Sequence, residues 1–505
     1  MSVLEPRINP RPDALPHDRH GLHIVEEPFT WPFLFDSKVR FAEPLRDWSL
    51  GFITGHRSRI VVCMSTFIAG LYLIQHYLWP KPIEPTTTSA FVVSLLSVLW
   101  IMSLPAALFG LIGMLAYRHS KNLDEVTPIL QTVVFRICSK GDNIEMVIST
   151  IDRCIKEMTR TPLFDYLVEV VINDVPAISK LPQGDRIQIL VIPDAYQTAR
   201  GDTKYKARGL QYALEYSEIP ETAWLVHLDE ETQPTSSGIK GIAKMINEEE
   251  ESGKLRIGQG AILYHRNWKT KPFWTLADNV RTGDDFARFY AQHRIGQTIF
   301  GLHGSYIVVR NDVEKRVGFD FGPHGSITED AFWAVRNMED GVRARWCEGY
   351  LEEQSTEGLN DFLKQRARWF QGLWIVSFFA PVKLRWRLSI LVNTVFWMFA
   401  PLAGLYTVAH FFIGYATPWW VTLMANLTYA SFMTLYLTGL KANMDEHKIE
   451  GWHRRAGWTI AQIALTPVFS IIESSGVVLG IWQLVKSIFS KKEIEFHVVK
   501  KGVAA

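Results

Sequence analysis

Four stretches of this chain are long and apolar enough to cross a bilayer as helix, which takes about 20 residues. They are 60–79, 90–117, 388–415 and 419–440. Lipid-facing segments are therefore expected beside an aqueous part. A fifth stretch, 458–485, is apolar but carries Pro467 and Glu473. It reads as one span, a re-entrant hairpin, or a helix partly buried among the others. Pro105 predicts a kink in the second span, and the linker 80–85 makes the first two a tight hairpin. Composition agrees: 48% of residues are hydrophobic, with 18 Trp and 29 Phe, more than a soluble enzyme of this length usually carries.

Basic residues flank the spans with a bias. Arg57 and Arg59 precede the first; Arg118, His119 and Lys121 follow the second; Lys383, Arg385 and Arg387 precede the third; Lys441, Arg454 and Arg455 follow the fourth. If the spans alternate, all lie on one side, which is then cytosolic. A single fifth span would put the Lys-rich tail (Lys491, Lys492, Lys500, Lys501) on the other side, which favours a hairpin or interfacial 458–485. The net charge of +1 argues for no nucleic-acid partner. The four cysteines show no C-x-x-C spacing and read as reduced, structural thiols. The polar, proline-bearing start lacks a basic-then-apolar pattern, so no cleavable signal peptide is expected. The predicted organisation is a polar arm (1–55), a transmembrane hairpin (56–120), a cytosolic catalytic domain (121–359), an interfacial helix (360–385), a C-terminal transmembrane region (386–490) and a basic tail (491–505).

Within 121–359 the pattern changes. Apolar runs of strand length recur at 132–138, 167–173, 187–193 and 224–228. Between the first two, Met146, Val147, Ile151, Ile155 and Met158 follow a helical period. Strand, helix and strand in this order predict an α/β domain with a parallel sheet covered on both faces.

Ligands bind beyond the carboxyl ends of such strands. There stand Arg136 with the turn R-I-C-S-K-G-D (136–142), Asn173 and Asp174, Asp194, and Asp229-Glu230-Glu231. Asp229 and Glu231 alternate along an extended segment, so both face one side. Their oxygens suit Mg²⁺ or Mn²⁺, although a solvated acidic turn has the same pattern. Lys206 and Arg208 open a helix and suit a diphosphate, or form a basic surface turn. Ile327-Thr328-Glu329-Asp330 follows a glycine-rich loop; Thr328 or Asp330 caps the next helix, or Asp330 is a general base. Q-R-A-R-W (365–369) lies on a helix entering the third span, where snorkelling arginines and a role beside the site are compatible.

Taken in order, these motifs resemble those of processive-type family 2 glycosyltransferases, which have a GT-A fold. Their signature is an early nucleotide-binding aspartate, a D-x-D metal motif, a catalytic E-D and a Q-x-x-R-W helix. The matching residues here are Asp174, Asp229 with Glu231, Asp330, and Gln365, Arg368 and Trp369. Glu replaces Asp at the third metal-motif position. Further stretches look similar to the egghead-type β-1,4-mannosyltransferases of glycosphingolipid synthesis: F-R-I (135–137), K-A-R-G-L-Q-Y (206–212), H-G-S-Y (303–306), F-D-F-G-P-H-G-S-I-T-E-D (319–330), E-Q-S (353–355) and D-F-L-K-Q-R-A-R-W (361–369). The resemblance covers roughly 55–500. It implies inverting transfer of mannose from GDP-mannose to a glucosylceramide-like membrane glycolipid at the cytosolic face of the endoplasmic reticulum or Golgi, with Mn²⁺ or Mg²⁺. It implies a catalytic Asp330 and a donor site of Arg136, Asp174, Lys206, Arg208, Asp229, Gln365, Arg368 and Trp369. His303, Gly304, Ser305, Glu329 and Trp369 would meet the acceptor, and Asp229 and Glu231 the metal. The alternatives are a processive β-glycan synthase, which would need more spans, and a non-catalytic scaffold, which would be expected to have lost one of these residues.

Overall fold

The computed structural model describes residues 56–79, 99, 101–118, 123–410, 412, 414 and 417–490. The expected polar arm, the linker 80–85, most of 90–100 and the basic tail lie outside the described residues. The four apolar runs form β1 (Thr132–Ser139), β2 (Asp165–Asn173), β3 (Ile187–Ile192) and β4 (Trp224–Leu228). They pair in parallel in the order β3-β2-β1-β4. Val133 to Ile137 of β1 are all buried, as continuous apolar runs covered on both faces should be. The sheet continues past β4 through β5 (Gln233–Pro234), β6 (Ile257–Leu263), β7 (Ile307–Arg310) and β8 (Ala344–Glu352), giving β3-β2-β1-β4-β7-β6-β8-β5. β7 runs antiparallel to β4 and β6, whereas β6 and β8 are parallel. A parallel nucleotide-type half joined to a mixed half is the GT-A arrangement.

Among the described residues, two apolar helices precede the sheet: α1 (His56–Leu78) and α2 (Leu104–Ala116). Pro105 stands at the start of α2, where its missing N–H is harmless, so it opens that helix and does not kink one. Helices α3 (Ile144–Arg160), α4 (Tyr205–Tyr216), α5 (Ser236–Ser252), α6 (Pro272–Asp284) and α7 (Glu329–Glu339) belong to the catalytic domain. The C-terminal part comprises α8 (Leu359–Phe379), α9 (Leu384–His410), α10 (Trp419–Glu446) and α11 (Trp452–Ser490).

Among the described residues three helical stretches are long and apolar enough to cross a membrane: His56–Leu78, Leu384–Tyr406 and Trp452–Ser487. This is a membrane protein by that measure. The stretch expected at 419–440 folds as the 28-residue α10 but is not one of the three. Asn426, Thr428, Ser431 and Thr434 are buried along it, and it lies tightly on α6 of the catalytic domain. A Cβ at Gly439 would lie 1.9 Å from the Asn279 carbonyl oxygen, and one at Gly283 2.1 Å from that of Leu435. Glycine at both positions is what lets the two backbones touch.

The hairpin favoured for 458–485 does not form; α11 is one 39-residue helix with Pro467 inside it. Hydroxyls of Thr466 and Ser470 bond back to carbonyls one turn earlier around the proline. Glu473 is matched by Arg366 Nε at 2.7 Å, so neither residue has to break the helix. At about 1.5 Å per residue, α11 is far longer than a hydrocarbon core of about 30 Å.

Candidate active site

The carboxyl ends of β1, β2, β3 and β4 open onto a cavity of 1170 Å³. Its polar wall holds Ser139, Asn173, Lys206, Arg208, Asp229, Glu231, His303, Glu329, Asp330, Gln365, Arg368 and Trp369, so it gathers most of the residues singled out from sequence. The same cavity continues between the C-terminal helices, where Trp397 and Pro401 of α9, Tyr429 and Phe432 of α10, and Ile471 and Val478 of α11 line it.

The acidic turn after β4 is held from behind. The Asp229 N–H donates to Ser305 Oγ (3.1 Å), Ser305 donates to Thr232 Oγ1 (2.6 Å), and Thr232 donates to Glu353 (2.7 Å). Ser305 is buried in this relay at the cavity wall, where it positions the turn. Glu230 accepts from Ser139 Oγ at 2.7 Å. The segment is a turn closed by the Thr232 N–H on the Asp229 carbonyl at 3.0 Å and not the extended run assumed from sequence, and Asp229, Glu230 and Glu231 all line the cavity.

Lys206 enters from the first turn of α4. Its Nζ contacts the Asp229 carboxylate, donates to the Gly304 carbonyl at 2.5 Å and lies 3.8 Å from Glu329. Burial opposes the charged amine, but Asp229 and Glu329 overcome this and raise its pKa. Arg208, two residues on, donates to Asn173 Oδ1 (3.2 Å) and to the Pro193 carbonyl (2.7 Å), fastening the loop after β3 to the end of β2.

Glu329 and Asp330 open α7. Thr328 makes no side-chain cap, and Asp330 Oδ1 instead accepts from the Ala331 N–H at 2.7 Å. Asp330 Oδ2 points toward Gly304, where a Cβ would lie 3.4 Å from it and 3.2 Å from Lys206 Nζ. A side chain at 304 would thus occupy the space among Lys206, Asp229 and Asp330. Burial raises the pKa of Asp330. Burial and the adjacent Asp330, opposed by Lys206, push Glu329 up to about 7. His303 pairs with Asp285 at 2.5 Å and packs on Phe289; although burial opposes it, Asp285 raises the imidazole's pKa.

Two of the predicted donor residues stand elsewhere. Arg136 is wholly buried within the sheet, its guanidinium bonded to Glu169 (2.5 Å) and to Glu314 (2.8 Å), whose other oxygen meets His227. It balances buried carboxylates and does not reach the cavity. Asp174 is exposed one residue beyond Asn173, and it is Asn173 that lines the cavity. The Trp369 ring is engaged by arginine, with Arg281 and Arg366 lying over it at 4.7 and 4.4 Å. Arg366 is itself buried, bridging Asp278, Gln365 and Glu473 at 2.7 Å each.

Sequence reading missed Arg281, Asp284 and Arg288, which line the cavity from α6 and the π-helical turn Asp285–Phe289 after it. Their signal was present: four charges within R-T-G-D-D-F-A-R (281–288), with Asp284 and Arg288 at i,i+4 spacing and paired.

A GT-A sheet with an acidic turn after β4, a carboxylate pair at the head of α7 and a Q-x-x-R-W helix beside the membrane region defines a glycosyltransferase of family 2. The family model described as "Glycosyl transferase family group 2" matches residues 224–435. The Beta-1,4-mannosyltransferase bre-3 of Caenorhabditis briggsae is 31% identical over 416 residues, 80% of this chain and 86% of that protein. The Beta-1,4-mannosyltransferase egh of Drosophila melanogaster is 30% identical over 419 residues, 81% of this chain and 87% of that protein. The chain belongs to this family, in the egghead and bre-3 group of family 2 mannosyltransferases. Among solved structures, the mannosyltransferase PcManGT from Pyrobaculum calidifontis, in complex with GDP-Man and Mn²⁺, aligns with a TM-score of 0.42 and 11% identity over 83% of this chain and 99% of that one. That likeness is too loose to carry an argument.

Proposed function

We propose that the protein transfers mannose from GDP-mannose, with inversion, to the headgroup of a glucosylceramide-like membrane glycolipid at the cytosolic face, forming a β-1,4 linkage. The observation that carries this is the single cavity whose polar end holds Asp229, Glu231 and Asp330 and whose apolar end lies between α9, α10 and α11. A lipid acceptor kept in the membrane by its tails would reach Asp330 with its sugar.

Asp330 acts as the base that takes the proton from the acceptor hydroxyl, with one oxygen fixed by the Ala331 N–H and the other facing the cavity. Attack opposite the diphosphate turns an α-linked donor into a β product in one step. Arg208, Lys206 and Arg368 supply positive charge to the donor side, and Arg281 and Arg366 fix Trp369 at its edge. The carboxylates at the strand end outnumber Lys206, and Asp229 and Glu231 are all-oxygen donors, so the residues fit a hard divalent cation. Bound there, Mn²⁺ or Mg²⁺ would neutralise charge gathering on the departing diphosphate.

The test is to incubate the purified chain with GDP-mannose and glucosylceramide, then identify the lipid by mass spectrometry and the linkage by β-mannosidase digestion. One added hexose with release of GDP is expected. A ladder of hexoses, or turnover with UDP-sugars and not GDP-mannose, would replace this reading with polymer synthesis.

A further inference from the structure

His265, Glu352 and Glu446 bring ligand atoms within 4.8 Å of one another, and none of the three lines the substrate cavity. They come from three places: His265 just past β6, Glu352 at the end of β8, and Glu446 at the end of α10. His265 is 8% exposed, yet its Nε2 has no hydrogen-bond partner. That nitrogen lies 3.5 Å from Glu352 Oε1, too long for a good hydrogen bond. It is close to the edge of a tetrahedron of ligands about 2.0–2.2 Å from a central ion. An orphaned, buried imidazole nitrogen beside two carboxylates is a ligand set for a cation.

The surroundings orient all three groups toward the same point. His265 Nδ1 lies 3.4 Å from His447 Nδ1, which stacks on Trp268. With the Nδ1–H of His265 as the donor across this contact, its Nε2 is the unprotonated nitrogen. That leaves the His265 Nε2 lone pair for a ligand, the usual arrangement behind a metal-bound histidine. Arg153 meets Glu352 through Oε2 at 3.7 Å, leaving Oε1 toward His265. Tyr350 donates its hydroxyl to Glu446 Oε2.

We propose that His265, Glu352 and Glu446 bind one Zn²⁺, separate from the donor metal, which clamps the end of α10 to the catalytic sheet. Imidazole with carboxylates suits Zn²⁺, whereas the all-oxygen Asp229 and Glu231 suit Mg²⁺ or Mn²⁺. Glu352 precedes Glu353, the terminus of the relay that holds the Asp229 turn, so the clamp also steadies the wall of the active site.

The full chain, purified in detergent without chelator, should carry about one Zn²⁺ per chain by mass spectrometry of the metal content. Stripping it should lower Tm, and added ZnCl₂ should restore it where MgCl₂ does not. His265→Ala and Glu446→Gln should each lose the zinc; Gln at 446 still accepts from Tyr350, so that variant keeps its fold. His447→Ala should weaken zinc affinity by about 10–100-fold, and Asp229→Asn should retain zinc in full. Wild-type chain without zinc and without a zinc-dependent Tm would overturn the proposal, as would zinc indifferent to both ligand substitutions. Metal content is read without substrate, so either result stands apart from the fate of the mannosyl-transfer reading.

Discussion

Replacing Asp330 by Asn tests the assignment of the base with little change in shape. The amide oxygen of Asn can still accept from the Ala331 N–H, as Oδ1 does at 2.7 Å, so the head of α7 should be unaltered. What disappears is a proton acceptor at the position of Oδ2, beside Gly304. General-base catalysis contributes about 10²–10⁴-fold, or about 2.7–5.5 kcal/mol of barrier. The KM for GDP-mannose should barely move, because the base meets the acceptor. Stability should move the other way. Burial raises the Asp330 pKa, so its ionised form is disfavoured in the folded state, and that penalty is present above the folded pKa. A neutral Asn removes it, and Tm at neutral pH should be equal to or above that of the wild type. In the wild type, the acid limb of kcat/KM should fall above the ordinary aspartate range and vanish in the variant. Single-turnover transfer, nucleotide binding and thermal unfolding in the same detergent read all three quantities. Turnover within about tenfold of wild type, or a loss of activity that tracks a loss of Tm, would refute the assignment.

Three further outcomes follow from the same geometry. EDTA should abolish transfer and Mn²⁺ or Mg²⁺ restore it, with Asp229→Asn and Glu231→Gln each raising the metal concentration needed for half-maximal rate. Arg366→Met strands the fully buried Asp278 and should cost about 3–5 kcal/mol of stability, partly recovered by adding Asp278→Asn; unfolding curves of the double-mutant cycle decide it. Because α11 is continuous, cysteines at His453 and Ser487 should react with a membrane-impermeant thiol reagent from opposite faces of sealed vesicles, and labelling from one face would restore the hairpin.

The parallel half of the sheet was legible because its strands are continuous apolar runs of strand length with turn residues after them. The mixed half was not: β5 has two residues, β7 has four, and β6 carries two glycines, so none shows a period. The acidic turn and the head of α7 were legible by their order along the chain and by resemblance. Arg136 misled because a cation near a strand end reads the same whether it meets a phosphate or a buried carboxylate.

By itself the sequence determined which segments are apolar enough for lipid, where the parallel strands end, and which oxygen-bearing residues gather at those ends. These are local properties, carried by hydropathy over 5 to 20 neighbouring residues or so. Only the tertiary structure decided the partners. Arg136 is neutralised by Glu314, 178 positions away, and so leaves the donor site. Asn173, and not Asp174, faces the cavity because the alternation of β2 sends it there. Glu473 is tolerated inside a long helix because Arg366, 107 positions earlier, meets it. In each case a charge is stable or functional according to what lies opposite it, and no local pattern encodes that neighbour.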